Sequence, residues 1–137
     1  MNLSDREASR KIFFDAWHKY TTNQALEPLE SEIIRIILCH PEYQVILNDP
    51  ASNQSKNFDD SNPFLHLGLH LGIREQVSID RPAGVAEIYQ QLCKKHRDPH
   101  VAEHKFMEYL AKVLWEAEQH GKMIETQDYL AGLKKLL

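Results

Sequence analysis

The sequence predicts an all-α single domain of five to seven helices, and three observations lead there. Apolar residues recur at three- and four-residue spacing along most of the 137 residues, a proline behind a capping residue opens segment after segment, and no two alternating runs offer strands that could pair. The length suits one domain with a real core, and 42% hydrophobic with 26% charged residues is ordinary for a globular chain.

Ser4 and Glu7 form a capping box, and Ile12, Phe13, Ala16, Trp17 and Tyr20 then follow in helical register, which predicts a first helix over about 5–20. Pro28 starts a second helix whose stripe is Leu29, Ile33, Ile36 and Ile37 and which ends at His40, before Pro41, with His40 continuing the apolar face. Pro41 restarts a short helix carrying Tyr43, Ile46 and Leu47. Residues 48–61 are almost wholly polar and are expected to be a mobile loop.

From Phe64 to Ile73 leucines alternate with His66, Gly68, His70 and Gly72, a pattern that also fits a strand. The Asn62-Pro63 start signal, the extension of the apolar run to Ile79 and the lack of a partner strand decide for a helix. Being apolar nearly all round, this helix, about 63–79, is expected to be central and buried, packed on the helix at about 99–120, with Gly68 and Gly72 allowing a neighbour close approach. After Pro82 comes a helix with Val85, Ile88, Tyr89, Leu92 and Cys93 in register, closed by Lys94, Lys95 and His96 at its negative end. Asp98-Pro99 opens a helix through Met107, Leu110, Ala111 and Leu114 to a stop at Gly121, and Thr126 caps a last one carrying Tyr129, Leu130, Leu133 and Leu136.

A net charge of −4 without a cluster of Lys and Arg argues against a phosphate-binding surface, so no nucleic-acid partner is expected. No apolar segment suits a signal or a membrane span, which predicts a cytoplasmic protein with no membrane partner. Cys39 and Cys93 lack C-x-x-C partners and fall on apolar stripes, where reduced core thiols are expected.

The chemistry-bearing feature is a repeated design: Asn62-Pro63 leads into His66 and His70, and Asp98-Pro99 leads into His100 and His104. Side chains four apart share a helix side, and the positive helix end disfavours imidazolium, so His66 and His100 are kept in the neutral form that binds metals. Four imidazoles, with Glu103 as ligand or base and His40 as accessory, would suit a transition-metal ion, zinc or iron foremost, rather than magnesium or calcium. Glu103 falls near the centre of a buried face, where an isolated carboxylate is costly, so it needs a cation or an imidazole N–H as partner.

His100 to His104 also spell H-x-x-E-H, in which two histidines bind zinc and the glutamate acts as base, but only 33 residues follow and no sheet is evident. Diiron bundles need E-x-x-H pairs, which this chain lacks, and a hemerythrin-like set matches only two spacings. The alternative is a non-catalytic interaction or scaffold protein whose histidines form a hydrogen-bond network, with Trp115 and the last helix as a partner or homodimer surface. His96 and His120 are expected to cap helix ends, His18 to lie on the surface, and Glu75 to pair with Arg74, Arg81 or a neighbouring helix.

The segments His40-Pro41-Glu42-Tyr43, Asn62 through His70, Arg74-Glu75-Gln76-Val77-Ser78-Ile79-Asp80-Arg81-Pro82, and His100 to His104 followed by Leu114-Trp115-Glu116-Ala117 resemble a bacterial family of uncharacterised proteins, the domain of unknown function 1841 family. The likeness spans about 25–130. It implies a bacterial cytosolic protein with no established activity and carries over no functional residues.

Overall fold

Several helices start at a proline, which has no amide to satisfy, or where a side chain accepts the first unpaired amides. The computed structural model describes residues 5–58 and 62–137; the Ser4 cap lies outside them. Among the described residues there is no strand, and the α-helices run α1 Asp5–Thr21, α2 Pro28–Leu38, α3 Gln44–Leu47, α4 Pro50–Asn53, α5 Pro63–Ile79, α6 Val85–His96, α7 Pro99–His120 and α8 Thr126–Lys134. Six have nine or more residues; α3 and α4 are single turns. The chain divides into two units, Met1–Gly68 and Leu69–Leu137.

In the first unit α1 packs on α2, and Phe13, Phe14, Ala16 and Trp17 of α1 are buried, as are Ile33, Ile34, Ile36 and Ile37 of α2. Pro28 opens α2, and the Glu30 carboxylate accepts the Glu27 amide at 2.8 Å while pairing with Lys19 of α1 at 2.9 Å. Leu29 and Tyr20, expected on the apolar stripes, are exposed, because each sits at the edge of its helix's buried arc. The helix α2 stops at Leu38, and His40 leads into a 3₁₀ turn at Pro41–Tyr43, since proline disfavours helical backbone at the residue before it. Cys39 is exposed rather than a core thiol for the same reason: it caps α2 where the apolar stripe has ended.

The polar segment contains a helical turn, α4, whose Asp49 side chain accepts the Ser52 amide. Asn53 is buried there and donates to the Ile46 and Asp49 carbonyls. Arg10, 3% exposed, ties this segment to α1: its guanidinium donates to the Asn53 and Lys56 carbonyls at 3.1 and 2.8 Å and lies over the Phe64 ring at 4.7 Å.

In the second unit one core joins Ile73 of α5, Val85, Ile88 and Leu92 of α6, Ala102, Phe106, Met107 and Leu110 of α7, and Tyr129 and Leu133 of α8. The Asp80 side chain accepts the Gly84 and Ala86 amides ahead of α6. Asp98 accepts the His100 amide, and Gly121, at φ +60°, ends α7 as expected.

Four further expectations change. Leu65 and Ile79 are exposed, so α5 is one-sided at both ends and not buried all round. No close approach occurs at Gly68 or Gly72, where an added Cβ would meet nothing within 4 Å among the described residues. On α7 the buried face is Ala102, Glu103, Phe106, Met107 and Leu110, whereas Leu114, Trp115 and Ala111 are exposed because the last two turns run past the core. The last helix takes Glu125, not Thr126, as the residue before its first turn.

Candidate metal centre

Proline at the first position of α5 and α7 sets each histidine pair within the opening turns. The Asn62 side chain accepts the Phe64 and Leu65 amides, as Asp98 accepts that of His100. From such a start the side chains four apart fall on one flank of the helix.

In the second unit the centre is His70, fully buried, and Glu103, 1% exposed. His70 Nδ1 and Glu103 Oε1 are 3.0 Å apart, and His70 Nε2 and His104 Nε2 are 3.2 Å apart. Arg74 Nε donates to the same Oε1 at 2.9 Å, and the Tyr89 hydroxyl donates to Oε2 at 3.0 Å. Burial by itself pushes the Glu103 carboxyl up, but the hydrogen bonds from His70 and Arg74 and their charges outweigh it and hold the group below the ordinary carboxylate range. An ionised Glu103 only accepts, so His70 carries its proton on Nδ1 and turns the Nε2 lone pair toward His104. Burial, then the neighbouring Glu103, raises the Tyr89 hydroxyl far above its ordinary value, so it stays a donor.

The His100 ring stacks on His70, 13° from parallel with centroids 5.4 Å apart, and lies 4.1 Å from the His104 ring. The partner that Glu103 required is therefore double, the His70 imidazole and the Arg74 guanidinium, and both were within reach of the charge argument.

The first unit holds a second pair. His40, 5% exposed, has Nδ1 2.9 Å from Glu42 Oε1 and Nε2 3.2 Å from His66 Nε2. The His40 hydrogen bond, then the residue's own backbone amide, lower the Glu42 carboxyl. Tyr43 stacks on His40 at 5.0 Å, and His66 meets the His40 ring edge-on at 4.6 Å. Unlike Glu103, Glu42 is 60% exposed on its side chain.

Sequence reasoning thus named His40, His66, His70, Glu103, His104 and His100, of which the first five lie in the two carboxylate-linked pairs. It missed Glu42, Arg74 and Tyr89 as participants. Glu42 stands two residues from its partner His40, and Arg74 one turn beyond His70 on the same helix, whereas Tyr89 sits on another helix and gave no local sign. His18 is exposed, and His96 and His120 close α6 and α7.

Two imidazole nitrogens bound at ~2.0–2.1 Å to one tetrahedral ion stand roughly 3.3–3.4 Å apart. The 3.2 Å found twice is close to that edge and also within reach of an N–H···N hydrogen bond.

No helix among the described residues is long and apolar enough to cross a membrane. No curated protein and no solved structure matches the chain. A family model described as "Domain of unknown function (DUF1841)" matches residues 5–135, in keeping with the resemblance carried by the histidine segments, and the chain belongs to that family.

Proposed function

We propose that the protein binds transition-metal ions at carboxylate-oriented imidazole pairs, His70 with His104 in the second unit and His40 with His66 in the first. The observation that carries this reading is the coincidence, in each pair, of an Nε2-to-Nε2 separation of 3.2 Å with a carboxylate on the opposite nitrogen of one ring. A metal-binding histidine donates its other N–H to a carboxylate or carbonyl in this way. Neutral nitrogen donors favour zinc, iron, nickel or copper, zinc and iron first, and an ion held there would lower the pKa of a bound water. In this reading Glu103 orients His70 and is neither ligand nor base, because its two oxygens accept from three donors already. His100 packs the pair from the side.

The test is elemental analysis of untagged protein from metal-supplemented growth, beside His70→Ala, His104→Ala, His40→Ala and His66→Ala. Stoichiometric zinc or iron in the wild type that falls in the variants supports the proposal, and a wild type free of metal in every medium ends it.

A second reading has its own observation. A separation of 3.2 Å also accommodates a hydrogen bond in which His104 Nε2–H donates to the lone pair of His70, giving a metal-free network inside a scaffold protein. Under that reading the same substitutions lower stability and no metal is found.

A further inference from the structure

Glu103 can orient His70 only if its own rotamer is fixed, and a carboxylate free to rotate would present either oxygen or neither to Nδ1. Two groups from different places in the second unit fix it. Arg74, one helical turn past His70 on α5, places Nε 2.9 Å from the oxygen that also accepts from His70. Tyr89 of α6 places its hydroxyl 3.0 Å from the other oxygen. Both oxygens are thereby held, and the ring of Tyr89 itself packs against Phe106, centroids 6.3 Å apart.

We infer that Arg74 and Tyr89 are positioning residues that clamp Glu103 in the one orientation that locks His70 as its Nδ1–H tautomer, with the Nε2 lone pair turned toward His104. The inference deepens the metal-binding reading, but the tautomer it concerns exists in the metal-free protein too. Arg suits the task better than Lys because its planar N–H groups fix a direction where an ammonium supplies only a charge. Tyr89 suits it because a half-buried hydroxyl seeks one strong acceptor. Loss of such outer partners costs a metal site about 10–100-fold in affinity.

The experiment uses the full chain with uniform ¹⁵N and ¹³C labelling, stripped by chelator, as wild type, Tyr89→Phe, Arg74→Met and Arg74→Lys, with folding of each checked by circular dichroism. Ring ¹⁵N and ¹³Cδ2 shifts read the His70 tautomer, and titration with zinc alone reads affinity. Expected is a single Nδ1–H tautomer in the wild type and a tautomer mixture in Tyr89→Phe and Arg74→Met, with only partial recovery in Arg74→Lys. Zinc affinity should fall about 10–100-fold in the first two variants. A His70 tautomer unchanged in folded Tyr89→Phe and Arg74→Met overturns the inference. A tautomer that shifts in the variants while the wild type takes up neither zinc nor iron upholds the clamp and refutes only the metal-binding reading. Should Arg74→Met fail to fold, Tyr89→Phe, which keeps the ring, decides alone.

Discussion

The two imidazole pairs share a plan and differ in what holds their carboxylate. In the second unit Glu103 is buried on α7, joined to His70, Arg74 and Tyr89, and its position follows from three helices. In the first unit Glu42 lies two residues from His40, its side chain 60% exposed, so the arrangement is local and open to water. A charge inside protein is tolerable only when its partners are complete, whereas a solvated one adjusts at little cost. The second pair is therefore rigid and the first adaptable.

Deleting the two carboxylates breaks this comparison most directly. Glu103→Ala removes the buried acceptor shared by His70, Arg74 and Tyr89 and should cost about 3–5 kcal/mol in urea unfolding. Glu42→Ala should cost less than ~1 kcal/mol in the same measurement. Equal losses would refute the distinction.

Ligand substitution sharpens it. In calorimetric zinc titrations Glu103→Gln should weaken binding about 10–100-fold through misorientation of His70, and Glu42→Gln by less, because solvent can replace an exposed carboxylate. A larger effect at Glu42 would reverse the ranking of rigid and adaptable pairs.

Smaller effects are expected at the helix starts. Asp98→Ala and Asn62→Ala each remove a side-chain acceptor from the opening amides of a histidine-bearing helix, worth ~1 kcal/mol by thermal unfolding. Near-zero change in both would mean that proline alone sets the first turns.

The smallest concerns acid. The Glu27 amide and the Lys19 ammonium lower the Glu30 carboxyl, so this group binds protons more weakly folded than unfolded. Its stabilisation of α1 against α2 is present above the ordinary carboxyl value and is lost as pH falls through the depressed one. The stability difference between wild type and Glu30→Gln should therefore shrink on acidification, and a difference that grew would give the opposite sign.

Much of this was legible in the residues because it depends on neighbours along the chain. Asn62-Pro63, Asp98-Pro99 and Gly121 mark helix ends through amides and backbone angles within a few residues, and His66 and His70 share a flank by helical geometry alone. The cost of an isolated charge even announced that Glu103 must have a cationic or imidazole partner. Reading the apolar run 64–79 as buried on all sides failed at Leu65 and Ile79, since hydrophobicity permits burial without compelling it.

What the sequence determined alone is the helical class, the helix starts and the pairing of histidines at four-residue spacing, all set by local backbone chemistry. Only the tertiary structure decided that His70 meets His104 through Nε2, that Arg74 and Tyr89 close on Glu103, and that Leu114 and Trp115 remain outside the core. Those outcomes depend on which helix faces pack together, a choice made by the summed burial of many side chains and carried by no short stretch of residues.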